Sequence, residues 1–203
     1  SWLAYRLSGG TVHATDASNA SRYQMLDLHE VRWSDELSAA LGIPVTCLPE
    51  VRPTMSLFGM TSAEVRGAEI PITCLFADQQ ASLFGHGCEQ EGGVKATFGT
   101  SGVVCLNTGR NVSLVDGLVT SVAWTDEAGV TQYEMEGSAF SCGYTLGWLA
   151  RWLGDRIDWS APIQPSPHPA QDRVTLLPSF TTLGAPRWPS GKGAAFLGLA
   201  MDT

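Results

Sequence analysis

An acidic side chain followed by two carboxamides, Asp78-Gln79-Gln80, opens the run Asp78-Gln79-Gln80-Ala81-Ser82-Leu83-Phe84-Gly85. It follows the apolar stretch Ile70 to Phe76. A glycine-punctuated hydroxyl turn, Gly99-Thr100-Ser101-Gly102, comes about one strand later. A carboxylate can take the proton of a hydroxyl as its oxygen attacks phosphorus. A carboxamide offers both a donor and an acceptor to an adjacent hydroxyl. A glycine turn lets backbone amides approach an anion closely. Together these groups suggest phosphoryl transfer to a hydroxylated small molecule. Taken singly they permit other roles. Asp78 suits a helix N-cap, Gln79 an exposed first-turn residue, and Gly99 to Gly102 an ordinary hairpin turn. The turn is not a Walker loop, because no Gly-Lys-Ser/Thr follows it.

The elements that must position these residues are legible in outline. Ile70 to Phe76 is too short for an independent helix and reads as a buried strand, with Asp78 at its C-terminal end, where ligands bind in open α/β sheets. Ala81 to Cys88 continues as helix, and Gln90 to Gly93 reads as a linker. Val94–Phe98, Val103–Asn107, Val119–Trp124 and Val130–Glu136 read as four short strands of an antiparallel meander. Upstream, Ser1 to Leu7 reads as the end of a helix stopped by Gly9-Gly10, and Asp16 to Arg22 as a polar loop without an assigned chemical role. Trp33 to Leu41 reads as a helix capped by Ser34 and stopped by Gly42. Pro44, Pro49 and Pro53 mark an irregular connection. Downstream, Ser138 to Leu153 reads as an amphipathic helix with Leu146, Leu149 and Leu153 in register. Asp158 to Asp172, with four prolines, reads as a loop. Val174–Leu177 and Ala194–Leu199 read as strands.

Composition narrows the class. The 203 residues are 44% hydrophobic, enough for one large domain or two small ones. A net charge of -8 disfavours a nucleic-acid partner. No apolar run is long enough to span a bilayer. The five cysteines are odd in number and scattered, without a CxxC or a zinc spacing. Cys74 and Cys105 lie in apolar runs and read as buried. A reducing, cytoplasmic protein is the expectation. His13, His29, His86 and His168 show no ligand spacing, and the seven tryptophans read as packing residues.

The segment resembles the FGGY carbohydrate kinases, their glycerol kinase branch most closely. The family pattern Gly-Asp-Gln-Gln-Ala-Ala-Leu-Phe-Gly, then Gly-Thr-Gly or Gly-Thr-Ser, then Asn-Thr-Gly is met by Asp78 to Gly85, Gly99 to Gly102 and Asn107-Thr108-Gly109. Flanking matches include Asn19-Ala20-Ser21-Arg22, Leu48-Pro49-Glu50-Val51-Arg52, Glu136-Gly137-Ser138-Ala139-Phe140 and Leu183-Gly184-Ala185-Pro186. Their order over nearly the whole chain makes the match specific.

The resemblance implies an α/β, actin-like (ribonuclease H-like) ATPase fold, present in part. Residues 1–90 would be the end of the first, substrate domain, and residues 91–203 the start of the second, nucleotide domain. It implies an ATP- and Mg2+-dependent kinase acting on a small sugar or polyol, with self-association left open. Asp78 would be the base and Gln79 a substrate contact, while Gly99, Thr100 and Gly143 would contact nucleotide. Val103 stands where glycerol kinases carry a Phe that packs on glycerol, so a larger or reshaped pocket is expected. Gly147 replaces a Gln near the nucleoside. The family's first glycine-rich hairpin, its magnesium Asp and its adenine segment have no counterpart here. The chain is therefore expected to be an internal piece of a longer protein, inactive by itself, with metal ligands elsewhere. A non-catalytic nucleotide- or sugar-binding regulator of the same fold is the alternative, and retention of Asp78 argues against it.

Overall fold

The computed structural model describes residues 1–154, 158, 174–188 and 193–199. The elements in order are α1 (Trp2–Leu7), β1 (Ala14–Asp16), α2 (Ala17–Ala20), β2 (Leu26–Asp27), β3 (Arg32–Trp33), α3 (Asp35–Ala40), β4 (Glu50–Arg52), β5 (Met55–Met60), α4 (Ala63–Arg66), β6 (Pro71–Cys74) and α5 (Asp78–Gly85). They continue with β7 (Val94–Phe98), β8 (Gly102–Gly109), β9 (Val119–Thr125), β10 (Thr131–Ala139), α6 (Gly143–Leu153), β11 (Thr175–Leu177) and β12 (Ala195–Leu197). The mixture is α/β, as expected. Contacts divide the chain into two compact units. The first comprises Ser1–Lys95, Cys105–Val115 and Val119–Glu136; the second comprises Ala96–Val104, Asp116–Leu118 and Gly137–Thr203. Among the described residues no helix is long and apolar enough to cross a membrane.

In the first unit, β1 and β4 pair in parallel, with Ala14 opposite Glu50 and Asp16 opposite Arg52. Ala17, Ala20, Met25, Leu26, Trp33, Val122 and Tyr133 form one buried cluster. Ala4, Val12, Ala14 and Phe58 form another, flanked by Ile72 and Leu75. Local signals account for several boundaries. Gly9 and Gly10 adopt positive φ after α1, where L side chains are strained. Ser34 accepts the Leu37 amide at 3.2 Å and caps α3.

Three expectations are corrected here. The segment read as a buried strand is β6, which among the described residues pairs only with β5 and has mostly exposed residues, Cys74 among them. Its hydrophobicity signals a wish for burial without saying what supplies it. Asp16 to Arg22 is not a loop: Asp16 ends β1 and its carboxylate caps α2. The four-stranded sheet has the order β7-β8-β10-β9, so β10 stands between β8 and β9, where a meander would place β9 beside β8. β9 and β10 still form the expected antiparallel hairpin. Its turn is closed by Asp126, whose side chain accepts the Val130 amide at 2.8 Å, and by Gly129 at φ 78°.

In the second unit, α6 begins at Gly143, five residues later than the sequence suggests, because β10 runs on to Ala139. Leu146 is exposed. The contact face of α6 is aromatic instead. Trp148 stacks on Trp152 at 5.6 Å between ring centroids and meets Phe180 at 5.0 Å; Trp152 meets Phe196 at 5.3 Å. β11 and β12 pair antiparallel where two strands were expected. The proline-rich loop at 158–172 lies almost wholly outside the described residues.

Candidate active site

Asp78 is the first residue of α5, four residues beyond the end of β6, and Ala77 rather than Asp78 is the N-cap. The cap role is thus corrected, although a carboxylate in the first helical turn still suits the helix dipole. Asp78 is exposed, accepts the Gln79 amide on Oδ1 at 2.7 Å, and makes no ion pair among the described residues. Among the described residues its other carboxylate oxygen has no hydrogen-bond partner.

Two polar networks that sequence reasoning missed hold this helix start. Asp16 is fully buried and accepts five hydrogen bonds: from the Ser18 amide and hydroxyl, from the Asn19 amide and side chain, and from the Thr54 hydroxyl at 2.9 Å. Ser18 Oγ in turn accepts the Ala77 amide at 2.9 Å, which fixes the backbone immediately before Asp78. A buried carboxylate is tolerated only when so paired. The second network lies under the next two residues. Gln80, 1% exposed, donates its amide nitrogen to Glu134 Oε1 at 2.6 Å and to Ser121 Oγ at 3.4 Å. Lys95, 4% exposed on β7, donates to Gln79 Oε1 at 2.7 Å. Burial pushes the Glu134 carboxyl above its ordinary value, and the nearby Glu136 carboxylate adds to the shift. Gln80 thus serves as a buried structural anchor of the helix start. The polar pattern of Glu134 and Glu136 on a strand, two acids where core residues are due, was the available sequence signal.

Gly99, Thr100 and Gly143 come together in the second unit. The Gly143 amide donates to Gly99 O at 2.8 Å, and the Cys142 and Tyr144 amides donate to Thr100 O at 3.1 and 3.3 Å. A Cβ on Gly143 would stand 2.5 Å from Gly99 O, so only glycine permits this approach. The first amides of α6 are therefore spent on the turn and not available to an anion. Thr100 is exposed, and its hydroxyl has no partner among the described residues. Val103, half-buried, lines an apolar groove of about 330 Å³ with Phe98, Gly102, Leu118, Gly137 and Ala139.

For a metal, one group converges among the described residues: Cys105, Glu134 and Glu136, with ligand atoms within 4.8 Å of one another. It does not suit magnesium, which takes hard oxygen ligands. The Cys105 thiol is pushed up to about 12, chiefly by burial, and Arg22 stands 3.5 Å from Glu136.

The comparisons with known proteins agree with one another. Residues 1–85 match the model of the N-terminal domain of the FGGY family of carbohydrate kinases. A glycerol kinase from Synechocystis sp. is 40% identical over 206 residues, covering 98% of this chain and 41% of that protein. The crystal structure of Plasmodium falciparum glycerol kinase with ADP matches all of this chain and 41% of its own, with TM-score 0.83 and 30% identity. A xylulose kinase from Rhodospirillum rubrum, at 20% identity and TM-score 0.78, shares the fold. The chain thus spans about two-fifths of the length of the relatives it matches.

Proposed function

We propose that this chain, which belongs to the FGGY family of carbohydrate kinases, is part of an enzyme that phosphorylates a hydroxyl of a polyol or sugar at the expense of ATP. The observation that carries this reading is the Asp78 carboxylate: exposed, without an ion pair among the described residues, and placed by buried networks on both sides. ATP, when bound, supplies the transferable phosphoryl group. The chain's own residues do the rest. Asp78 Oδ2 accepts the proton of the attacking hydroxyl. Gln79 holds the neighbouring substrate oxygen and so fixes the angle of attack. The Thr100 hydroxyl donates to a phosphate oxygen, and Gly99 and Gly143 keep the backbone close enough for it to do so.

Val103 belongs on the substrate side of this proposal. Its small side chain favours an acceptor longer than glycerol. We place the substrate domain at residues 1–90 and the nucleotide domain at 91–203, near the end of the family match at residue 85. Magnesium, if the whole enzyme uses it, is held by residues other than Cys105, Glu134 and Glu136. A cytoplasmic location fits an ATP-consuming enzyme with five free cysteines.

The test is a panel of polyols and sugars with ATP, run on the full-length protein and on Asp78→Asn. Turnover of a polyol or ketose that Asp78→Asn abolishes, with nucleotide affinity retained, is the expected result. Near wild-type activity in Asp78→Asn overturns the assignment.

A further inference from the structure

We propose that Lys95 sets the hydrogen-bonding polarity of Gln79, so that the substrate oxygen next to the phosphorylated hydroxyl is recognised as an acceptor. This rests on the reading of Gln79 as a substrate contact. It makes Lys95 a positioning residue that no resemblance assigned.

The argument starts from donor and acceptor chemistry. A carboxamide has two faces, and in isolation either can point outward. An ammonium carries three donors and no acceptor. Lys95 Nζ lies 2.7 Å from the Gln79 side chain, so the atom facing it must be the carbonyl oxygen. The amide nitrogen is thereby turned to the other side, where it has no partner among the described residues. Lys95 is 4% exposed, so water competes weakly for its proton. Gln79 itself is half-buried, neither sealed in the core nor free to reorient at will.

The next residue shows the opposite arrangement. Gln80 donates its nitrogen to Glu134 Oε1 at 2.6 Å, so a carboxyl oxygen holds its nitrogen inward. Two consecutive carboxamides are thus locked in contrary senses, Gln79 by a cation at its oxygen and Gln80 by a carboxyl oxygen at its nitrogen. Gln79 therefore offers the substrate N–H groups only. A hydroxyl or carbonyl oxygen satisfies them; a methylene leaves them unpaired. A protonated amine, which has donors alone, opposes them.

The experiment measures kcat/KM on the full-length enzyme for its preferred substrate and for the analogue lacking the hydroxyl adjacent to the phosphorylated one. In the wild type the deoxy analogue is expected to be poorer by roughly 10–100-fold. In Lys95→Met the Gln79 side chain turns freely, and the discrimination should fall to about threefold or less. Lys95→Met that lowers both substrates equally, leaving the ratio unchanged, overturns the proposal and marks Lys95 as merely structural. Absence of turnover in the wild type instead defeats the kinase reading.

A second measurement needs no buried substitution. With 15N-glutamine labelling, the Gln79 side-chain NH2 signal, assigned by its loss in Gln79→Leu, should move on addition of substrate. The deoxy analogue should move it far less. An NH2 signal indifferent to substrate overturns the proposal as well.

Discussion

The two groups of candidate residues, one in each unit, are built in different materials. Around Asp78, Gln79 and Gln80 the fixing contacts are made by side chains, those of buried Asp16, Ser18, Lys95, Ser121 and Glu134. Around Gly99, Thr100 and Gly143 they are backbone to backbone, with the consecutive amides of Cys142, Gly143 and Tyr144 on two turn carbonyls. A site held by side chains can be altered one group at a time, because each bond belongs to one replaceable residue. A site held by backbone is indifferent to most substitutions and fails where a side chain is added to a glycine. On the proposed roles, proton acceptance and substrate reading would fall to the tunable material and phosphate contact to the rigid one.

The largest test of this contrast is Asp78→Asn in the full-length enzyme. It preserves size and the contact with the Gln79 amide but not the proton acceptor. Turnover should fall by roughly 10²–10⁴-fold with nucleotide affinity nearly unchanged. Next is Gly143→Ala. Its methyl would meet Gly99 O at 2.5 Å, and relieving such overpacking costs about 1–3 kcal/mol. Nucleotide Kd, measured by calorimetry, should rise on the order of tenfold while the saturated rate changes much less. Equal binding in wild type and Gly143→Ala would show that the turn does not carry nucleotide.

A subtler effect concerns Val103. Four- and five-carbon polyols or ketoses should exceed glycerol in kcat/KM. Val103→Phe should move the preference back toward glycerol by about 1–3 kcal/mol, the value of one well-buried apolar group. Glycerol ahead of all longer acceptors in the wild type would remove Val103 from the pocket. The smallest effect is on stability. Glu134, buried, has its carboxyl raised above its ordinary value of 4.5, so the folded state holds this proton more tightly than the unfolded state. The stability it contributes is complete below the unfolded value and is lost as pH rises through the folded one. Urea midpoints of the wild type should therefore decline over that range, and Glu134→Gln should flatten the decline. Parallel pH profiles would place the titration elsewhere.

Much of this arrangement is legible along the chain, for a reason that also explains what is not. Stops and caps depend on neighbours within about four residues. The positive-φ glycines after α1 and the Ser34 cap could accordingly be read directly. The turn at Gly99 and the helix start at Asp78 likewise announce themselves locally. Asp16 could not, since its partner Thr54 is 38 residues away and the atom it steadies through Ser18 belongs to Ala77. Lys95 and Glu134 acquire meaning only when β7 and β10 take their places. The same holds for the strand order: hydrophobic alternation finds β8, β9 and β10 but does not say which two are neighbours. Ile70 to Phe76 failed differently, because an apolar run specifies a need for cover rather than a partner.

The anchoring of Gln80 by Ser121 and Glu134, 41 and 54 positions further along the chain, has a bearing on how the protein is made. Synthesis proceeds from the N-terminus at about 5–20 residues per second. The segment with Asp78 thus waits roughly 3–10 s for the strand that locks it, counted over those 54 positions. During that interval α5, eight residues long, has too few turns to hold itself in water. The order of manufacture makes the start of α5 among the last parts of this unit to be set in place, so a ribosome stalled before Glu134 would release a chain that holds Asp78, Ser18 and Lys95 but lacks the carboxyl that anchors Gln80.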